Sequence, residues 1–393
     1  MNWPTRIASV LIAILFCYGL QMVCGGLGSD KQRLVALAGL YVTLAVSLNL
    51  INGITGQFSI GHAAFYQVGA YTAGFLSIHF MKAAGVPPSL WLIGMMLVAA
   101  IAASAAGFIV GLPSLRLRGD YLAIVTLGFG EILRIIVQNT PALGGAYALD
   151  KIPAIREIWL IWLLAIICIA VCRNLLKTAH GLTFLAVRED EVASLAMGVN
   201  VTRVKVTAFM IGAAFAGAAG ALLAHYETSI TPGTFAMDVS FIILTMVVLG
   251  GTGSITGSAL AAVTLFALPE ALREVKTVSG AGFIASVIAT VTAVWAIRWV
   301  IKNYHEGGNK KAMAYLGVIA GAIVLALILP YGLNLIPPIA KKSFEGAKLR
   351  MVIFAGSLIV IMLIRPQGVF AHHEFSWDWV KRVLRIKPRE VPA

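Results

Sequence analysis

A chain of 393 residues that is 59% apolar and only 12% charged, with a mean hydropathy of +0.90, lies outside the range of an ordinary soluble domain and describes a membrane protein. Its net charge of +13 reads as orientation and contact with anionic lipid. No Lys/Arg face interleaved with aromatics argues for nucleic acid as a partner.

A bilayer-crossing helix needs roughly 20 mostly apolar residues. Twelve runs approach that length, near 7–26, 34–51, 64–81, 90–111, 121–138, 158–175, 206–226, 239–254, 256–272, 281–301, 312–332 and 350–366. Apolar residues continue on every face of these runs, which predicts helices and not barrel strands. The first run follows Arg6 but exceeds the apolar core of a signal peptide and precedes no clean small-x-small site, so it reads as a retained span. An even number of spans puts both termini on one side, and assigning that side to the cytoplasm gives cytoplasmic segments the larger share of Lys and Arg. Cys17, Cys24, Cys168 and Cys172 fall in or beside apolar runs with no His or carboxylate at ligand spacing, and read as packing residues. Trp91, Trp159 and Trp299 stand near span ends, as an interfacial aromatic belt does.

Between the second and third runs the apolar pattern breaks at NLINGITGQFSIGHAAFY, residues 49–66. Gly53, Gly56 and Gly61 together cannot sustain a good helix. Unwound backbone at membrane depth is tolerated only where protein or a water-filled cavity satisfies it. Asn49, Asn52, Gln57, Ser59 and His62 supply donors and acceptors for that purpose, so the segment is expected to be a re-entrant element lining a translocation pathway, with Asn52, Gln57, Ser59 and His62 on that pathway. An ordinary surface turn is the plainer reading, and the length of the polar stretch weighs against it.

In the fifth run, Glu131 and Arg134 lie one helical turn apart inside apolar sequence. A carboxylate there is costly unless paired or wetted, and marks a face toward the bundle interior. Either an internal ion pair that fixes packing or a place on the pathway accounts for it. Ahead of residue 206 stands an acidic cluster, Glu189, Asp190 and Glu191, then apolar positions at amphipathic spacing, then Gly198 as a stop. A short helix over 189–198 is expected, serving as a solvated linker or, as its exposed apolar stripe prefers, as a docking element for a cytoplasmic partner. VVLGGTGSITGSALAA, residues 247–262, echoes the first break weakly through Thr252 and Gly253 and predicts a second broken or closely packed junction.

No nucleophile elbow, HExxH, paired carboxylates or nucleotide fingerprint suggests an enzyme. His372, His373 and Glu374 form one short polar cluster, more often incidental than metal-binding. The segments LNLINGITGQFSIGHAAFYQVGAYTAG, LRLRGDYLAIVTLGFGEILR, AVREDEVASLAMGVNVTRVKVTAF and MLIRPQGVF resemble, in order, those of the LivM-type permease subunits of bacterial ABC importers for branched-chain amino acids. The resemblance covers most of 35–272 and 349–370.

It implies an all-α polytopic transmembrane helix bundle in the inner membrane, with about ten core spans and two extra ones. It implies as partners a second permease of the LivH type, two ATPase subunits and a periplasmic amino-acid-binding protein. No cofactor would be bound by this chain; ATP and Mg would be used by the ATPases. Arg188, Glu189, Asp190, Glu191, Gly198 and Asn200 would then belong to an ATPase-coupling segment within a cytoplasmic loop over 176–205. The spacing from Glu191 to Gly198 is one residue longer than the family's E-A-A-x-x-x-G. The chain departs from the family over 273–349, where two added apolar segments are expected, ahead of a basic cytoplasmic tail over 367–393. Permeases for urea, short amides or other amino acids, an ion-coupled secondary transporter using Glu131, and a scaffold subunit are the rival readings.

Overall fold

The computed structural model describes residues 3–114, 119–271, 277–279, 343–345 and 368. The chain divides into one unit of residues 1–265 with 367–393 and a second of 266–366. In the second unit Thr277–Ser279 and Ser343–Glu345 pair as two antiparallel strands. The runs expected near 281–301, 312–332 and 350–366, the remainder of the 273–349 insertion, the His372–Glu374 cluster and the tail lie outside the described residues.

The helices are α1 (Trp3–Gly25), α2 (Ser29–Asn49), α3 (His62–Ala84), α4 (Pro88–Ser114), α5 (Asp120–Gln138), α6 (Ile158–Leu176), α7 (Ala179–Glu189), α8 (Glu191–Ala196), α9 (Val201–Glu227), α10 (Met237–Gly250) and α11 (Ile255–Ala271). Nine of the twelve expected runs coincide with α1 to α6 and α9 to α11. Among the described residues, six helical segments are long and apolar enough to cross a membrane. The bundle is the one the composition dictates: in lipid, helices satisfy their own backbone.

At the centre of the first unit stands α9, packed by α4, α3, α2 and α6. Its sequence AAFAGAAGALLA explains the position, since small residues let helix backbones approach closely where lipid supplies no hydrophobic drive. A Cβ on Gly217 would meet the Ala99 carbonyl of α4 at 2.6 Å, and one on Gly107 would meet Ala213 at 2.8 Å. A polar latch joins α3, α4 and α9. His225 Nδ1 donates to the Ala221 carbonyl at 2.7 Å, its Nε2 meets Ser77 Oγ at 2.8 Å, and Trp91 Nε1 donates to the same hydroxyl at 2.9 Å.

The ends of α9 define the two ends of the bundle. Its N-terminal turn carries Lys205, paired with Glu191 of α8 at 2.9 Å. At its C-terminus Glu227 meets Arg33, early in α2, at 2.8 Å, and the backbone nitrogens of Leu149, Ile152 and Ile155 donate to the carbonyls of Ile230, Thr228 and His225. A helix of this length measures about 40 Å, so α7 and α8 lie at the end opposite to residues 139–157.

Candidate functional site

The first glycine break sits at the α7–α8 end. Helix α2 does not stop at Asn49 but widens into a π-helical turn, Leu50–Ile54, a feature that inserts strain into a regular helix and recurs at functional positions. Gly56 follows at φ +72°, a conformation for which a side chain is poorly suited. Residues 57–61 are non-helical, and α3 begins at His62. The loop is closed by Asn52, whose Nδ2 donates to the Ser59 carbonyl at 2.9 Å while its Oδ1 accepts from the Ser59 nitrogen at 3.2 Å.

Neighbouring helices satisfy the backbone nitrogens at the start of α3. Ile60 N donates to Thr126 Oγ1 of α5 at 3.1 Å, and Ala63 N to Ser240 Oγ of α10 at 3.0 Å. Such groups have no partner within their own helix. Protein groups thus satisfy the backbone nitrogens of Thr55, Gln57, Ser59, Ile60 and Ala63, and Gly53, Ile54, Thr55, Gln57 and Ser59 are buried.

The second break, Gly251 to Ser254, packs directly on the first. Asn49 Oδ1 accepts from Gly253 N at 2.8 Å, and Asn49 Nδ2 donates to the Ser254 carbonyl at 3.0 Å. A Cβ on Gly53 would overlap both Asn49 Oδ1 and the Gly253 nitrogen, and one on Gly368 would overlap the Gly251 backbone. Arg188, near the end of α7, reaches the same place: its Nη1 donates to the Gly53 carbonyl at 3.1 Å. Three of the four segments singled out in the sequence thus meet at one point.

The fourth, α5, closes one side of a recess of about 10 Å³, room for roughly one water, lined by Ile60, Gly61, Ala64, Gly130, Glu131 and Ser240 among others. Glu131 Oε2 accepts from Arg134 Nη2 at 2.7 Å and Nε at 2.8 Å, and both side chains are about a quarter exposed. Around the break several buried polar atoms have no protein partner: Gln57 Oε1, Ser59 Oγ and His62 Nδ1. Gln57 Nε2 donates to the Lys205 carbonyl at 3.4 Å. Ser47 Oγ lies 3.0 Å from the Leu44 carbonyl and 2.8 Å from His62 Nε2, while His62 Nδ1 has no protein partner. His225 contrasts with it, having both ring nitrogens engaged.

The segment expected to be one helix over 189–198 is divided. Asp190 is extended at φ −155° and ψ 113°, separating α7 from the six-residue α8. The reason is local: its carboxylate accepts from Val192 N at 2.8 Å and Ala193 N at 3.0 Å, an N-cap, which requires a non-helical backbone. Glu189 consequently belongs to α7 and pairs with Arg188 at 2.6 Å, and Glu191 pairs with the buried Lys205. Gly198 takes φ +83° beyond α8, and Asn200 Oδ1 caps α9 by accepting from Arg203 N at 2.9 Å. Val192, Leu195 and Met197 are 62%, 52% and 84% exposed.

Sequence reasoning passed over Ser47, Thr126 and Ser240, which carry no pattern of their own. It also passed over Gln67 and Tyr71, buried on α3, whose amide and hydroxyl have no protein partner. Their spacing of four inside an apolar run was the available signal.

Several known permease proteins are similar to this chain. The LivM permease protein of the high-affinity branched-chain amino acid transport system of Salmonella typhimurium is 36% identical over 270 residues, 60% of this chain and 62% of its own length. Its Escherichia coli K12 counterpart is 36% identical over 276 residues, 61% and 63%. The LivH permease protein of Salmonella typhimurium is 26% identical over 283 residues, 66% and 87%. The chain thus spans less than two thirds of the length of the LivM relatives. No solved structure matches it. Residues 32–286 match the permease component of the branched-chain amino acid transport system; with several apolar helices of spanning length, the chain is a multi-pass membrane protein and a member of that permease family.

Proposed function

We propose that this chain forms one half of the membrane pathway of an ABC importer for branched-chain amino acids in the bacterial inner membrane, with its termini and α7–α8 in the cytoplasm. A second, LivH-like permease would form the other half. Two ATPase subunits would supply the energy with ATP and Mg, and a periplasmic binding protein would deliver leucine, isoleucine or valine.

The observation that carries this reading is the largely buried break at 50–61, bordered by Glu131 and set with polar atoms that have no protein partner, Gln57 Oε1, Ser59 Oγ and His62 Nδ1. Each such group costs roughly 1–3 kcal/mol if nothing meets it. A passing zwitterion needs such polar relief for its charged ends, and brief relief without tight capture suits a conduit. The recess is far smaller than an amino acid, so passage requires the helices to part, consistent with alternating access.

The exposed Val192, Leu195 and Met197 on a capped short helix supply an apolar contact for the ATPases. Asp190 and Asn200 hold that segment's helix starts, while Glu189, Glu191 and Gly198 shape its ends. Against an ion-coupled carrier stands the pairing of Glu131 with Arg134 through two hydrogen bonds, which leaves the carboxylate poorly placed to release and rebind a cation.

The test is reconstitution of the chain with a LivH-like permease, both ATPases and the binding protein in vesicles. Leucine uptake that requires ATP and survives collapse of ion gradients is expected. Uptake without ATP would overturn the reading. Competition by urea, short amides and other amino acids against labelled leucine sets the substrate.

A further inference from the structure

Arg188, in the last turn of α7, sits where that helix meets both glycine breaks. Its guanidinium is divided. Nε and Nη2 go to Glu189 Oε1 at 3.1 and 2.6 Å, within the loop. Nη1 crosses to the Gly53 carbonyl at 3.1 Å, within the π-helical turn.

Space for that crossing is made by glycines. A Cβ on Gly253 would come within 2.8 Å of Arg188 Nη1, and one on Gly56 within 2.8 Å of Arg188 Cγ and 3.3 Å of its Cα. Asn49 ties Gly253 to the end of α2, so a displacement of Arg188 acts on both breaks together. The Gly53 carbonyl is one of the groups a terminating helix leaves without a partner, and a charged donor is roughly twice as strong a partner as a neutral one.

We infer that Arg188 is the positioning residue that transmits movement of α7–α8 into the paired glycine breaks, through its bond to the Gly53 carbonyl. This rests on the transport reading above. A planar guanidinium can serve two directions at once from a fixed fork, which is what a strut between a docking loop and a distant helix end requires. Lys205 provides a parallel contact: its Nζ meets Glu191 in α8 and its carbonyl accepts from Gln57 in the break.

The experiment uses the full complex in proteoliposomes and measures ATP hydrolysis and leucine uptake in the same vesicles for wild type, Arg188→Ala and Arg188→Lys. Arg188→Ala is expected to keep hydrolysis within about twofold and to lower uptake per ATP at least tenfold. Arg188→Lys, which retains one charged donor, is expected to recover a third or more of that ratio. If Arg188→Ala does not assemble, Arg188→Gln takes its place with the same readout.

A second readout needs no substrate. Ser59→Cys, in a chain whose four cysteines are buried, is expected to react with a maleimide at least fivefold faster in one nucleotide state than the other, and equally in both when combined with the Arg188 change. An unchanged uptake-to-hydrolysis ratio, a parallel fall in both, or a nucleotide response at position 59 that persists without Arg188 overturns the inference. Failure of the wild-type complex to take up leucine overturns the transport reading instead, and the maleimide measurement still decides the role of Arg188.

Discussion

The carboxamide of Asn49 holds Gly253 and its neighbour at once, accepting from the Gly253 nitrogen at 2.8 Å and donating to the Ser254 carbonyl at 3.0 Å, although 204 and 205 positions separate them in the chain. Removing it leaves the half-buried Gly253 nitrogen without its partner, at about 1–3 kcal/mol, and takes one of three donors from the Ser254 carbonyl, which keeps those of the Ser258 nitrogen and hydroxyl. Asn49→Ala is therefore expected to lower the melting temperature in detergent and to reduce uptake at least tenfold. Asn49→Asp, isosteric but unable to donate to the carbonyl, is expected to fare no better.

Gly53→Ala places a methyl group onto Asn49 Oδ1 and the Gly253 nitrogen, whereas the same change at Gly128 meets nothing within 4 Å. The two substitutions cost the same in composition and differ only in surroundings. Gly53→Ala is expected to destabilise by more than about 2 kcal/mol, as overpacking does, and Gly128→Ala to be neutral or slightly stabilising through helix propensity. Thermal melts of the two purified variants check this.

Glu131 and Arg134 are bound to one another and only partly buried. If the carboxylate carried a coupling ion, Glu131→Gln would abolish accumulation. On the proposed reading it removes one charge of a pair, and ATP-driven uptake is expected to stay within about threefold of wild type, with no new sensitivity to ionophores. Uptake assays with and without an uncoupler measure both.

Val192 and Leu195 are exposed on α8 and support no core. Substitutions at such positions usually change stability by less than about 0.5 kcal/mol. Val192→Asp with Leu195→Asp is expected to leave the chain's melt unchanged while the ATPases no longer copurify with it, since a charge buried against an apolar groove is costly.

The helices were legible because composition forces them: apolar runs of spanning length have one solution in a bilayer, and nine runs match described helices. Gly53, Gly56 and Gly61 announced the break for the same reason, since three glycines undo helix propensity within nine residues. Its partners were not legible. Thr126 and Ser240 are single hydroxyls in apolar helices, and nothing local says that one faces Ile60 and the other Ala63. The short Thr-Gly echo at 252–253 gave a hint of likeness to the first break but none of contact. The division at Asp190 was missed because an acidic triplet at a helix start looks continuous, and only the choice of Asp190 as cap, made by its own backbone angles, separates Glu189 from Glu191.

One more property follows from the reciprocal bonds between Asn52 and Ser59. They close residues 52–59 into a ring whose internal bonds do not depend on where the ring sits. On the transport reading proposed above, such a ring would shift as one piece, its two cross-bonds intact. Its place is set from outside by four helices: Arg188 of α7 holds Gly53, Lys205 of α9 holds Gln57, and Thr126 of α5 and Ser240 of α10 hold Ile60 and Ala63 just beyond it.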